Sequence, residues 1–504
     1  MSLGLCFLSG SFGAVLWCLV NKKSDFRTEK DQLGEMQIPA SAYWGIQTMR
    51  VQESFAPSAL KPHPQLIDAA VVIKKVAALV NAEDGRLNSE VSKGIVQSAD
   101  EVLNGQWRDE FIVDPFQAGC GWAYNVNVNE VLANRAAEIL GGQVGKYTLV
   151  HPNDHVNMLQ AAGDVFQSAM RIAILTEHKE LEHVLLDLER LLRRKALEFN
   201  RIVKIARPGL RDSVPITLGQ EFNAYGSAIE HCCRRLADAS HGLQELNIGA
   251  GPAGSGIAAD PVYVSKMIER LSHFTGLHLR NGDDFFRLSQ SAADFLSFSS
   301  SMRELAVELA RISGDLRLLS SGPHTGIAEI SLPAIFVQPH LLAPGMVPAT
   351  APPALPECVT MVAYQVIGND TAVMLAAQAG QLDANIMTPL ISHNILQSIT
   401  LLKQALSPFN RHCVAGITAS SSRCKELLEL TESPLLALAA HLGVARAQEL
   451  DEEARTTGKS LRNLIIEQQL IPGTELDKIL SCLDLCQPGS WDSTTGSGSG
   501  QLPT

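Results

Sequence analysis

Met361-Val-Ala-Tyr-Gln-Val-Ile-Gly-Asn-Asp-Thr-Ala-Val-Met-Leu-Ala-Ala-Gln-Ala-Gly-Gln-Leu382 is the stretch on which the fold turns. It is apolar nearly all round, which predicts a central, fully buried helix. Such a helix needs other helices to cover it, and the chain supplies them. Leu305, Leu309, Ile312, Leu316 and Leu319 are spaced four, three, four, three, the seam of a helix bundle. Val264, Met267, Leu271 and Phe274 repeat the pattern, with Gly276 placed as a C-terminal cap. Ile395, Ile399, Leu402 and Leu406 form another stripe. Few segments alternate with period two, so the fold class is all-α.

At 504 residues the chain can hold a large core and more than one domain. The formal net charge is −12 and no basic tract stands out, which argues against nucleic acid as a partner. The ten cysteines show no CxxC pair or metal-ligand spacing. Cys232 and Cys233 are adjacent, and Cys482 and Cys486 sit one helical turn apart. This reads as reduced thiols in a reducing compartment. Ser2 to Val20 is uncharged and largely apolar, and Lys22-Lys23 follow. Its length is near that needed to cross a bilayer. It lacks a basic leading region and is poor in arginine for a transit peptide. Three readings are open: a signal anchor, a buried terminal extension, or a segment without functional consequence. The chain is expected in the cytoplasm, with a membrane or mitochondrial location as the alternative.

Upstream of the apolar helix lies a proline-rich loop. It begins at Leu332-Pro333, contains Pro339, Pro344, Pro348, Pro352, Pro353 and Pro356, and leads into the helix. Other segments carry their own patterns. Asn125-Val-Asn-Val-Asn-Glu-Val131 and Ala133-Asn134-Arg135 make an asparagine ladder, and asparagines in such a run cap helices and brace loops. His151-Pro-Asn-Asp-His-Val-Asn157 is a polar turn. Its two histidines, four apart, suggest a metal pair, but no clustered third ligand accompanies them, so hydrogen-bonded loop histidines are the plainer reading. Gly249-Ala-Gly-Pro-Ala-Gly254 fits GxGxxG, yet no strand precedes it and Pro252 lies inside it, so it is a turn between helices. Gly458-Lys459-Ser460 has Glu453 where a phosphate loop needs its first glycine.

Together these segments resemble the fumarase/aspartase superfamily, most closely its aspartate ammonia-lyase and class II fumarase branch. The resemblance runs from Asp31 to Leu485. It rests on Asp31-Gln-Leu-Gly-Glu35, Ile38-Pro39, Tyr43-Trp-Gly-Ile-Gln-Thr48, Phe111-Ile-Val-Asp-Pro-Phe-Gln117, the asparagine ladder, and residues 151–157 at every position. Ile202-Val-Lys-Ile205, Val214-Pro-Ile-Thr-Leu-Gly-Gln-Glu-Phe222, Lys459-Ser-Leu-Arg-Asn-Leu-Ile-Ile466 and Leu476-Asp-Lys-Ile-Leu480 extend it. It implies an apolar extension over residues 1–30, an N-terminal domain over 31–165 and a central helical bundle over 166–418. A small C-terminal helical domain over 419–487 and a disordered tail over 488–504 complete it. The bundle is expected to be shared between subunits of a homotetramer. The family adds or removes ammonia or water across fumarate, and no cofactor or metal is implied.

The catalytic blocks of the family depart from its pattern here. Where the family reads G-T-S, the chain has Gly121-Trp122-Ala123. Where it reads S-T-N-D or S-S-N-D, the chain has Ala161-Ala162-Gly163-Asp164. R-T-H or R-T-Q becomes Arg207-Pro208-Gly209. The loop G-S-S-x-M-P-x-K-x-N-P becomes Ala343-Pro-Gly-Met-Val-Pro-Ala-Thr-Ala-Pro-Pro353, so Pro344 and Gly345 replace the serines, Thr350 the lysine and Pro352 the asparagine. Trp122 is also bulky where a dicarboxylate needs room. Four segments have lost their polar groups while their flanks match. Removing one transition-state donor costs roughly 10²–10³ in rate, so the first expectation is an inactive relative kept for binding or regulation. The alternative is an active lyase with a rearranged site drawing on Asp164, His155 or Asn157. A third possibility is a peripheral dicarboxylate site at His151, Asn153 and Asp154, which the resemblance places in fumarase-type proteins; its plainer reading is a braced turn.

Overall fold

The stripes read from the sequence become long helices in a computed structural model that describes residues 26–117, 119–257, 260–334, 353–431 and 433–486. The apolar segment 2–20, the loop positions Pro344, Gly345, Thr350 and Pro352, and the tail beyond Pro488 lie outside the described residues. Among the described residues no helix is long and apolar enough to cross a membrane. The described residues are mostly helical, with four two-stranded pairings among them. The turn-rich opening forms a hairpin in which β1 (Phe26–Asp31) pairs antiparallel with β2 (Gly34–Pro39), Phe26 opposite Pro39.

The described chain falls into two compact units. One comprises the residues through Ala173, Gln244–Ser291 and Ala379–His393. It holds the hairpin, α1 (Ile46–Ser54), α2 (Pro64–Glu83), α3 (Ser89–Leu103), α4 (Trp122–Ile139) and the first turns of α5 (Ala162–Glu198). Helix α2 packs on α3, and α3 on α4. Helix starts are well specified. His63 accepts from Gln65 N–H ahead of Pro64, and Asn88 accepts from Glu90 and Val91 N–H. The asparagine ladder braces loops as expected: Asn127 joins Glu110 O and Ile112 N–H, and Asn134 joins Tyr43 O and Gly145 N–H.

The second unit comprises Ile174–Leu243, Ala292–Gln378 and the chain from Asn394. It contains α6 (Leu218–Ser240), started by a capping box between Thr217 and Gln220. In the first unit, α7 (Pro261–Thr275) is capped by Asp260 and ends at Gly276 in the left-handed region, φ 63°, as its placement predicts. Val264, Met267 and Leu271 are buried, but Phe274 is 44% exposed, with the Lys75 ammonium 4.8 Å from its ring centre. The short α8 (Phe285–Gln290) follows in the same unit.

Two long helices of the second unit, α9 (Ala293–Leu319) and α10 (Ala354–Gln378), pack along each other. The whole α9 seam from Leu305 to Leu319 is buried, as are Ile395, Ile399, Leu402 and Leu406 of α11 (Thr388–His412). Helix α10 differs from the expectation of complete burial. Val359, Ala363, Val366 and Val373 face inward, but Met361 and Tyr364 are each 65% exposed, and Met374 and Leu375 are exposed too. One chain covers one face of this helix; the other apolar face is bare. Short helices α12 (Ser421–Glu429), α13 (Ser433–Leu442), α14 (Val444–Thr457), α15 (Leu461–Glu467) and α16 (Gly473–Leu480) close around Leu428, Leu438, Leu450, Ile465 and Leu476.

Candidate functional site

Helix α2 is apolar over most of its length, and Lys74 is fully buried within it. Asn81, seven residues on, lies on the same face two turns later and is also buried. A charged group in such a place requires partners. Lys74 Nζ donates to Asn157 Oδ1 at 2.7 Å, and Asn125 Nδ2 of α4 donates to the same oxygen at 3.1 Å. Asn157 Nδ2 donates onward to Gln160 O at 3.0 Å. The opposite charge is Asp164, buried in the first turn of α5. Its carboxylate accepts from Ala161 N–H at 3.1 Å and from Gly251 N–H at 3.4 Å. Gly251 has φ +73°, so the glycine-rich stretch is a turn, as read, and one that turns an amide toward a buried carboxylate.

Burial dominates the electrostatics. It pulls the Lys74 ammonium down to about 7 against the attraction of Asp164. It pushes the Asp164 carboxyl up to about 7 against the Gly251 amide and the Lys74 charge. Asn81 Oδ1, Asn125 Oδ1 and the Tyr263 hydroxyl are buried without a hydrogen-bond partner among the described residues. Tyr263 and Asn81 are neighbours whose polar atoms miss hydrogen-bond geometry. The node thus combines an amine pulled down and a carboxyl pushed up by burial with spare donors and acceptors.

Three of the altered segments lie among the described residues, and one of them, Ala161–Gly163, runs directly into Asp164. Trp122 opens α4 and is 45% exposed, while Ala123 is buried against Val51 and Val113. Ala161, Ala162 and Gly163 lead into α5 with no side-chain donor among them. A Cβ added at Gly163 would meet nothing within 4 Å, so the space beside it is open. Pro208 and Gly209 form a short 3₁₀ turn, Pro208–Leu210, with Gly209 exposed at φ 60°. Arg207 beside them donates to the fully buried Glu329 at 2.8 Å. Lys204 Nζ lies 2.8 Å from the other Glu329 oxygen, a close charge contact that misses hydrogen-bond angles.

The His151–Asn157 turn is largely satisfied internally. His151 Nδ1 accepts from Asn153 N–H at 3.3 Å and Asp154 N–H at 3.1 Å, and His155 Nδ1 accepts from His151 N–H at 3.0 Å. The Asp154 carboxylate is 3.2 Å from His151 Nδ1. An Nδ1 that accepts two amides carries no proton, so this contact is not an ion pair. Burial holds His155 below its ordinary value. Asn153 and Asp154 are exposed.

Lys74, Asn81 and Tyr263 were not among the residues singled out from sequence. The available signal was a lysine and an asparagine seven apart inside an otherwise apolar helical run.

The Lyase family profile matches residues 34–368. Aspartate ammonia-lyase of Bacillus subtilis (strain 168) is 39% identical over 471 residues, 94% of this chain and 98% of that protein. A fumarate lyase:delta crystallin from Brucella melitensis, solved bound to cobalt, superposes with TM-score 0.86 at 38% identity, covering 92% of this chain and 100% of that one. A recombinant class II fumarase from Schistosoma mansoni gives TM-score 0.83 at 30% identity, with the same coverage. Fold, sequence and coverage agree, and the chain belongs to the fumarase/aspartase superfamily of lyases.

Proposed function

We propose that this chain is a catalytically inactive relative of the aspartate ammonia-lyases and fumarases, with a binding or regulatory role. One observation carries the reading: Ala161, Ala162 and Gly163 put no side-chain donor beside an open space that would accept one. The family reaction removes a weakly acidic carbon-bound proton, which needs a positioned base and donors to the developing charge. Trp122, Ala123, Pro208, Gly209, Pro344, Gly345, Thr350 and Pro352 leave the other expected donor and base positions equally poor. The expected assembly is a homotetramer, a reading supported by the bare apolar face of α10. A small dicarboxylate at the 151–157 turn would rely on His151 and Asn153; with His151 Nδ1 engaged as an acceptor, its Nε2–H is the donor left to offer.

A second reading is favoured by the Lys74–Asp164 node. Groups brought near neutrality by burial often mark functional sites, and an active lyase with rearranged chemistry would draw on this pair. Assay of the purified full-length chain with aspartate, malate and fumarate separates the two. No turnover above a blank is expected. Heat-labile turnover that survives Asp164→Asn contradicts both readings, whereas turnover abolished by that substitution supports the second.

A further inference from the structure

We propose that the groove between α5 and α11 in the second unit binds a small oxyanion that also carries an O–H or N–H group. The groove has a volume of 510 Å³, within the roughly 300–1,000 Å³ of ligand pockets. Arg190 and Arg194 of α5 and Arg411 of α11 line it, against a single acidic side chain, Asp187. Arg190 and Asp187 are 3.6 Å apart and both well exposed, so they hold each other weakly. Neither Arg194 nor Arg411 makes an ion pair or hydrogen bond with another described residue. Two guanidinium forks on facing helices, each with its donors unspent, suit a carboxylate or phosphate.

The second observation is Asn410, which lines the same groove and is only 7% exposed. Its Nδ2 donates to Val184 O at 3.0 Å, which fixes the amide orientation. Its Oδ1 is buried with no partner among the described residues. That oxygen only accepts, so it asks for a donor. An oxyanion without a proton meets the arginines and leaves Oδ1 unanswered. Hydrogen phosphate or a phosphate monoester, or a 2-hydroxy- or 2-amino-carboxylate, meets both. Leaving a buried acceptor unpaired is costly, on the order of 1–3 kcal/mol, which is about 5- to 150-fold in affinity.

The test is calorimetric titration of the full-length protein at neutral pH with two matched pairs of probes. Inorganic phosphate is compared with sulfate, and lactate with propionate; within each pair the second lacks the hydroxyl. Saturable binding of phosphate or lactate, at least about fivefold tighter than its partner, is expected. Phosphate alone binding identifies the phosphate source, and lactate alone the carboxylate source. Arg194→Gln with Arg411→Gln, both on exposed side chains and so expected to fold, should abolish binding. Asn410→Leu should bring each pair to equal affinity while retaining weak binding. No saturable binding, equal affinity for the pairs in the unaltered protein, or binding that survives the double arginine substitution overturns the proposal.

Discussion

Lys74 Nζ and Asn157 Oδ1 are joined at 2.7 Å inside the first unit, and the amine so held belongs to a fully buried lysine facing the charge of Asp164. The pair makes folding stability depend on pH in a predictable direction. Asp164 has a folded value of about 7 against 3.8 unfolded, so its neutral form stabilises the fold below about pH 4, and this contribution is lost as pH rises through 7. Lys74 has a folded value of about 7 against 10.5, so its neutral form contributes above about pH 10 and is lost as pH falls through 7. The node is weakest near neutrality. Asp164→Asn should remove the acid limb: between pH 5 and 7 the unaltered protein should lose about 2–3 kcal/mol relative to this variant. Denaturant titrations at both pH values check it, and parallel behaviour of the two proteins would refute it.

Glu130, on α4, accepts from Gly45 N–H at 2.9 Å, Gln47 N–H at 3.0 Å and Thr48 N–H at 3.0 Å. It caps α1, whose own Gly45 offers no side chain. Glu130→Ala strands three amides, and each buried unpaired group costs about 1–3 kcal/mol. A loss of at least about 3 kcal/mol is expected, with a smaller loss for Glu130→Gln, which keeps one acceptor oxygen. Equal midpoints in denaturant for Glu130→Ala and the parent would show that water replaces the carboxylate without penalty.

Two glycines within the segments 121–123 and 161–164 should respond in opposite ways. Gly121 has φ +80°, and a Cβ there would lie 2.1 Å from the Phe166 ring. Gly121→Ala is expected to destabilise by at least about 2 kcal/mol. Gly163 faces open space, so Gly163→Asn should stay within about 1 kcal/mol of the parent. Thermal melts of both variants decide it; similar losses in the two would mean that the space beside Gly163 is filled.

The bare face of α10 predicts the behaviour of the assembly. Met361→Glu with Tyr364→Glu places two charges on this apolar face. Native mass measurement should find the parent as a tetramer and the variant shifted to smaller species. A parent that stays monomeric at micromolar concentration contradicts the proposed assembly directly.

Much of the architecture was legible because it rests on local rules. The α9 seam, the α11 stripe and the Gly276 cap are set by spacing and by one residue's backbone freedom, and each stands where its pattern placed it. The bracing by Asn127 and Asn134 likewise follows from a side chain that bonds nearby backbone. Hydrophobicity alone misjudged α10 and Phe274, because apolarity says that a face seeks cover and not which surface supplies it.

The sequence by itself determined the all-α class, the helix seams and caps, and the lack of any side-chain donor in Ala161-Ala162-Gly163, since these depend on residue type and spacing. Tertiary structure alone decided that Lys74, seven residues from Asn81 in an apolar run, meets Asn157 and faces Asp164 far along the chain, and that Asn410 keeps an unanswered oxygen between arginines of two helices. Long-range pairing decides which buried polar groups find partners, and burial then decides how far their ionisation shifts. Neither quantity is a property of a residue and its neighbours in sequence.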